Sequence, residues 1–182
     1  MHGLIVSKLR DYVVANYGGQ TWRRIVEGAG MWAEADTPNL ERIYPDPMAL
    51  ALIHKAVQAT GMPAETVLED FGNFIAPALL RLFPDLIQPK WRTLDVIERT
   101  EERIHTVVRS RDPDAKPPRL TTRRVGPSEV EIVYTSQRRL CWLAEGIARG
   151  LATHYGETVE ISQPECMHRG GGRCLILVRL VS

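Results

Sequence analysis

The sequence lacks the marks of three large classes of protein. Its 23 lysines and arginines are balanced by 22 acidic residues, so there is no strong positive field of the kind that binds nucleic acid. No apolar run approaches the ~18 residues that a membrane-spanning helix requires, and the N-terminal residues do not follow the pattern of a secretory signal. We therefore expect neither nucleic acid nor a membrane as a partner, and we expect a cytoplasmic protein.

Cysteine is also scarce. The three cysteines, Cys141, Cys166 and Cys174, are a sparse and odd-numbered set that does not suit the disulfide framework of a secreted domain, so reduced thiols or a metal site are expected. Hydrophobic residues make up 44% of the sequence and charged residues 25%, which is an ordinary globular composition. We predict a single domain over 1–182, large enough to enclose a ligand-sized cavity.

Apolar residues recur at helical spacing through the N-terminal half of the chain. Thr21 is placed to cap the second helix, and Pro77 is expected to kink or break the fourth. The four predicted helices cover residues 4–17, 21–28, 47–60 and 64–82. A further helix is predicted over 91–108, with His105 at the edge of its apolar face.

The pattern changes after a proline-containing linker at 110–118. The elements that follow are a strand over 119–125, a turn at 126–128, a strand over 129–135, a helix over 137–155, and strands over 158–162 and 174–181. The sequence therefore predicts an α+β fold, in which a mainly helical part over 1–110 precedes a β-β-α-β-β part over 118–182 with a four-stranded antiparallel sheet.

Tyr134, Ser136 and Arg138 alternate along the chain where a predicted strand runs into a helix. In extended chain this spacing turns all three side chains to one side. A guanidinium with two hydroxyls suits a carboxylate, because the guanidinium binds it bidentately and the hydroxyls reach its remaining lone pairs. The pattern predicts a site for an anionic ligand, with an exposed strand end as the alternative. His105 has the corresponding alternative of a packed or surface histidine.

Together these residues resemble the H-NOX family of haem nitric-oxide and oxygen binding domains, and the resemblance spans essentially the whole chain. The elements that carry it are the opening Met1-His2-Gly3-Leu4-Ile5-Val6, Tyr17-Gly18, His105, Pro117-Pro118-Arg119-Leu120 and Tyr134-Thr135-Ser136-Gln137-Arg138. The resemblance implies a haem b between the two parts of the fold, with His105 as the only protein ligand of the iron. It implies that Tyr134, Ser136 and Arg138, the clamp residues, bind the propionates, because a buried anion needs such partners. Pro118 would press on the porphyrin and distort it.

The resemblance also bears on gas selectivity. Oxygen-binding members of the family have a distal tyrosine nine residues after the first clamp residue, and this chain has Leu143 at that position. Ile5, Leu9 and Ile75 fall at other expected distal positions. An apolar distal side lacks the hydrogen-bond donor that stabilises bound oxygen. The expectation is therefore a sensor that binds nitric oxide and carbon monoxide and excludes oxygen.

Signalling is expected to pass to a second protein. The resemblance implies that nitric oxide releases the helix that carries His105, which would be the element that switches. No output domain is recognisable within the sequence. A signalling partner in trans, such as a histidine kinase or a cyclic-di-GMP enzyme, is therefore expected.

The cysteines and a histidine form a second candidate site. Cys166 and His168 precede a glycine loop, Cys174 follows it, and Cys141 lies in the predicted last helix, which gives four potential zinc ligands. This arrangement resembles a subset of bacterial H-NOX proteins in which such a cluster binds zinc and is proposed to sense thiol oxidation. That subset has a histidine where this chain has Gln163, so His168 is expected to substitute as the fourth ligand. Three unligated buried thiols are the alternative.

The same residues also bear on other classes of function. An enzyme with Cys166 or Cys174 as nucleophile and His168 as base is disfavoured, because no orienting third group or oxyanion site is evident. The chain is therefore not expected to be an enzyme. A zinc-bound thiol redox sensor, or a haem-free module that binds a small ligand on the same fold, remains the alternative to a gas sensor.

Overall fold

The computed structural model describes residues 1–31 and 37–181. Its N-terminal part is helical, as predicted. The helices are α1 (Gly3–Tyr17), α2 (Gly19–Gly28), α3 (Asp46–Thr60), α4 (Ala64–Leu82), α5 (Thr93–Arg99) and α6 (Thr106–Arg111). A π-helical segment, Thr100–His105, joins α5 to α6, and short 3-10 turns occupy Pro84–Leu86 and Pro113–Ala115. None of the described helices is both long and apolar enough to cross a membrane.

The C-terminal part is a β-β-α-β-β unit, which confirms the predicted fold class. Its elements are β1 (Arg119–Gly126), β2 (Glu129–Thr135), α7 (Cys141–Tyr155), β3 (Thr158–Glu165) and β4 (Cys174–Val181). The strands pair antiparallel in the order β1-β2-β4-β3. Ile176 and Val178 of the central strand β4 are fully buried and share a core with Ala148 and Leu151 of α7. The helix therefore covers one face of the sheet.

Two local predictions differ from the structure. Thr21 does not cap α2, because the helix already begins at Gly19 and the Thr21 hydroxyl donates instead to the Tyr17 carbonyl at 2.7 Å. The last helix begins at Cys141 and not at residue 137, because Arg139 has a φ of 52°, a left-handed conformation that a right-handed helix cannot include. Both differences lie at helix N-termini, where the residues before the helix already have another hydrogen bond or backbone conformation.

Pro77 lies inside α4 and does not break it. The proline has no N–H for the carbonyl of Asn73 one turn earlier. That carbonyl faces α7, since a Cβ placed on Gly150 would lie 2.6 Å from the Asn73 oxygen. Close packing against α7 thus covers the turn that the proline weakens, and the helix continues past it.

The helix α7 connects two hydrophobic cores. One core lies among α1 to α4, and the other lies between α7, α5 and the sheet. Glycines allow α4 and α7 to touch along their backbones: a Cβ on Gly146 would lie 2.0 Å from the Glu69 carbonyl oxygen, and a Cβ on Gly72 would lie 2.4 Å from the Leu143 oxygen. Any larger residue at either glycine would force the two helices apart.

A carboxyl group is buried beside this helix contact. Glu145 of α7 is 6% exposed, and its Oε1 has no hydrogen-bond partner among the described residues. Burial raises the pKa of Glu145 to about 7, the negative charges of Glu69 and Glu65 add to the effect, and Arg149 opposes it. The group therefore changes its charge near neutral pH.

Replacing Glu145 with Gln should remove a pH dependence from the free energy of unfolding. The unfolded chain releases the proton near the ordinary pKa of 4.5 and the folded chain only near pH 7, so the wild type loses stability as the pH rises between these values. The loss reaches at most about 3 kcal/mol. Gln stays neutral, so Glu145→Gln should differ least from the wild type near pH 5 and exceed it most near pH 8 in urea unfolding.

The control for this experiment is Glu160→Gln, which changes an exposed glutamate of β3. The difference between this variant and the wild type should not change with pH. A constant offset between Glu145→Gln and the wild type across the same range would contradict the prediction.

Candidate functional site

A cavity of about 270 Å³ lies between the helical part and the sheet. Its walls are mostly apolar and are contributed by α1, α4, α5, the π-helical segment, α6, β1, β2 and α7. The residues that line it include Ile5, Leu79, Ile97, Val108, Ile132 and Ile147. A cavity of this kind suits a small molecule with a large apolar surface.

His105, the last residue of the π-helical segment, lines the cavity with a side chain that is 15% exposed. Burial lowers the pKa of His105 below its usual value of 6.5, although the hydrogen bond to the Glu101 carboxylate and its negative charge partly oppose this. The ring is therefore neutral at pH 7. Its Nδ1 lies 3.0 Å from Oε2 of Glu101. A carboxylate only accepts, so Nδ1 carries the hydrogen and Nε2 keeps a lone pair for a metal.

The three clamp residues line the same cavity. The Tyr134 hydroxyl accepts the Leu140 N–H at 3.2 Å, and the Ser136 hydroxyl accepts the Arg138 N–H at 3.2 Å. Burial raises the pKa of Tyr134 to about 12, so its hydroxyl keeps a proton to donate. The Arg138 guanidinium, 9% exposed, donates to the Ala115 carbonyl at 3.0 Å. A buried cation and two hydroxyls can thus receive a carboxylate.

Asp46 is a site residue that the sequence did not indicate. Its Oδ1 accepts from the Arg138 guanidinium at 2.7 Å and from the Met1 amine at 3.1 Å. Burial alone would raise the pKa of Asp46, but these two hydrogen bonds outweigh it and lower the pKa, so the carboxylate is charged at neutral pH. Asp46 therefore orients Arg138 and ties the clamp to Met1 and to the first turn of α3.

The structure places the residues predicted to lie on the distal side of the haem in two different parts of the fold. Ile5 and Leu143 line the cavity, as does Pro118. Leu9 and Ile75 lie in the helical core instead, where they are 3% and 0% exposed and pack among α1 to α4. The cavity is lined on the α4 side by residues nearer the end of that helix, including Leu79, Leu80 and Leu82.

The site as a whole has three chemical parts. A neutral imidazole with a free Nε2 suits iron, the buried Arg138 with its two hydroxyl neighbours suits carboxylates, and the apolar walls suit the faces of a flat ring. Apolar surface, metal and carboxylates occur together in haem. The residues present therefore fit a haem with its propionates directed to the clamp.

The three cysteines form a compact second group. Their sulfur atoms all lie within 4.8 Å of one another, and all three side chains are buried. The Met167 N–H donates to Sγ of Cys174 at 3.3 Å, and the His168 N–H donates to Sγ of Cys166 at 3.4 Å. Burial raises the pKa of Cys141 and of Cys174, so without a metal these thiols stay protonated at neutral pH.

His168 does not join the three sulfur atoms through its ring. The exposed imidazole stacks on Trp142 with the ring centres 4.0 Å apart, and its Nε2 lies 2.7 Å from the Arg139 carbonyl oxygen. Gln163 lies beside Cys141, and its Nε2 is buried with no hydrogen-bond partner among the described residues. The expected substitution of His168 as fourth ligand is therefore not the arrangement in the structure.

Comparison with known proteins relates this chain to haem proteins. The sequence model of the haem-NO-binding family matches residues 2–163. The crystal structure of an H-NOX protein from S. oneidensis in the Fe(II)NO ligation state is similar with a TM-score of 0.90 and 25% identity, covering 100% of both chains. The NMR structure of an H-NOX domain from Shewanella oneidensis in the Fe(II)CO ligation state is similar with a TM-score of 0.85 and 25% identity, covering 100% of this chain and 99% of that chain.

A more distant structure shows the same fold. The crystal structure of the Fe(II) unliganded H-NOX protein from K. algicida has a TM-score of 0.86 at 17% identity, covering 100% of this chain and 97% of that chain. No curated protein matches the sequence.

Replacing Asp46 with Ala should lower the free energy of unfolding by about 1–3 kcal/mol, because it leaves the buried Arg138 cation without its carboxylate. Asp11→Ala is the matched control. Asp11 has the same 37% side-chain exposure and also contacts two basic side chains, but on the surface of α1. Its removal should cost less than about 1 kcal/mol. Equal losses for the two variants in urea unfolding near pH 7 would contradict the role given to Asp46.

Proposed function

The chain belongs to the haem-NO-binding family, and from that premise we propose that it is a haem-based sensor of nitric oxide and carbon monoxide that excludes oxygen. The observation that carries the proposal is that His105 and the three clamp residues line one cavity. Solved H-NOX structures from Shewanella oneidensis have been determined in the Fe(II)NO and Fe(II)CO ligation states. Their likeness to this chain supports the same gases as ligands here.

The residues that would hold the haem have separate tasks. His105 would bind the iron through Nε2, and Arg138, Tyr134 and Ser136 would bind the propionates. Bound haem b would supply the ferrous iron that takes up the gas. Pro118 would lie against the porphyrin, since it lines the cavity next to His105.

Apolar side chains support the exclusion of oxygen. Ile5 of α1 and Leu143, Ala144 and Ile147 of α7 all line the cavity, and none has a side-chain donor. Thr100 also lines it, but its hydroxyl donates to the Val96 carbonyl at 2.7 Å. Bound oxygen is polar and gains most from a donor, whereas nitric oxide and carbon monoxide gain little.

The output is proposed to pass to a separate signalling protein, such as a histidine kinase or a cyclic-di-GMP enzyme, in the cytoplasm. The chain would act as one sensor domain and not as an enzyme. The segment that carries His105 is the proposed switching element, because it joins the cavity to the exposed α6. The balanced charge of the sequence supports a protein partner in place of nucleic acid.

An absorption spectrum of the haem-reconstituted ferrous protein tests the proposal. The wild type should show one Soret band that is unchanged in air and shifts with nitric oxide. His105→Ala should alter that band, because the iron loses its protein ligand. His54→Ala, which removes an exposed histidine of α3, should leave it unchanged. A stable oxygen complex would refute the exclusion of oxygen, and a chain that takes up no haem would refute the gas sensor.

We also propose that the three cysteines bind zinc, which would make the chain a thiol redox sensor as a second function. The specific observation is the buried group of three sulfur atoms within 4.8 Å, two of which accept backbone N–H groups. Such donors favour the thiolate form that zinc requires. Gln163 is the side chain near Cys141 that could complete the coordination through its amide oxygen.

Metal analysis of the purified protein distinguishes a zinc site from three unligated thiols. The wild type should carry one zinc ion per chain, and Cys174→Ser should lose it, because a hydroxyl is a much poorer zinc ligand than a thiolate. His168→Ala should keep the metal, since this ring lies outside the sulfur group. A wild type that binds no zinc would refute the site, and a colourless protein with stoichiometric zinc would favour the haem-free alternative.

A further inference from the structure

The carboxylate of Glu101 joins three elements of the fold. Its Oε2 lies 3.0 Å from Nδ1 of His105 and accepts the backbone N–H of Leu120 in β1 at 3.1 Å. Its Oε1 accepts from the guanidinium of Arg109 in α6 at 2.5 Å. One side chain thus connects the π-helical segment, α6 and the first strand of the sheet.

The backbone of Glu101 is held as well. The Thr106 N–H donates to the Glu101 carbonyl five residues earlier, and the Thr106 hydroxyl donates to the same oxygen at 3.0 Å. A hydrogen bond from residue i+5 to residue i defines a π-helical turn. Such turns are rare in proteins, and those that occur often lie at functional sites. Because both its carbonyl and its carboxylate are bound, Glu101 has a fixed position relative to His105. The two side chains are 25% and 15% exposed, so water competes weakly for their contact.

We propose that Glu101 is the positioning residue of His105, an inference that rests on the proposed function of His105 as the iron ligand. The carboxylate holds the ring through Nδ1, so that Nε2 is presented to the metal, and its negative charge makes the imidazole a stronger electron donor. The same carboxylate fastens the His105 segment to β1 through the Leu120 N–H. Glu101 therefore sets both the strength of the histidine as a ligand and the resistance of its segment to displacement.

Two variants separate the charge of Glu101 from its hydrogen bonds. Glu101→Gln keeps a carbonyl oxygen for Nδ1 of His105 and for the Leu120 N–H, but it is neutral. Glu101→Ala keeps neither the charge nor the acceptor. Glu98→Gln is the matched control, because Glu98 lies one turn earlier, is 31% exposed and pairs with an arginine of β1.

The first readout is the iron–histidine stretching band in the resonance Raman spectrum of the haem-loaded ferrous protein. The band should move to lower frequency in Glu101→Gln and further in Glu101→Ala, and it should stay in place in Glu98→Gln. Haem transfer to apomyoglobin should be about 10-fold faster or more from Glu101→Ala. If both Glu101 variants keep the wild-type band, the inference is overturned while the proposed function stands.

The second readout does not depend on haem. In NMR hydrogen exchange, the Leu120 amide should exchange about 10-fold faster in Glu101→Ala, because its acceptor is gone, and should stay protected in Glu101→Gln. Unchanged protection in Glu101→Ala overturns the link to β1. A wild type that takes up no haem, or a His105→Ala variant that keeps the iron–histidine band, overturns the proposed function and this inference with it.

Discussion

The direct contact between the backbones of α4 and α7 is the constraint on which the rest of the molecule depends. Gly146 approaches the Glu69 carbonyl and Gly72 approaches the Leu143 carbonyl so closely that no side chain fits between them. The contact joins the helical core to the core under the sheet, since α7 belongs to both. It also sets the separation of two helices that line the cavity. The site is therefore a product of helix packing as much as of any local motif.

The parts of the fold that could be predicted from the sequence have local causes. Gly61 and Gly156 end their helices with φ values of 68° and 66°, which glycine adopts readily, and strand composition on both sides of the turn at 126–128 indicates the hairpin that follows the linker. Thr21, Pro77 and Arg139 behave differently from their local signals. Each responds to a neighbouring turn or to a helix from elsewhere in the chain, and a pattern read along one segment does not contain that neighbour.

The site shows the same division. His105 and the clamp are indicated by spacing and by the family resemblance, and the structure places them on one cavity. Glu101 precedes His105 by four residues, a spacing at which helical side chains are neighbours, but nothing in the sequence distinguishes it from other acids on that helix. Asp46 had no local signal, because its partners Met1 and Arg138 lie in distant parts of the chain. Leu9 and Ile75 could not be separated from Ile5 and Leu143, since all four are apolar residues of amphipathic helices.

The position of α7 has a mechanical consequence. Its first residue, Cys141, belongs to the sulfur group, and Leu143 and Ile147, within its first two turns, line the cavity. A helix of this length behaves as a short rigid rod, and the glycine contacts near its middle fix it against α4. The sulfur group and the cavity-lining residues belong to the same end of this rod, so a displacement of one is passed directly to the other. A change at the thiols and the binding of a ligand in the cavity would then act on the same helix. Thermodynamic linkage requires that the effect of the first on the second equal the effect of the second on the first.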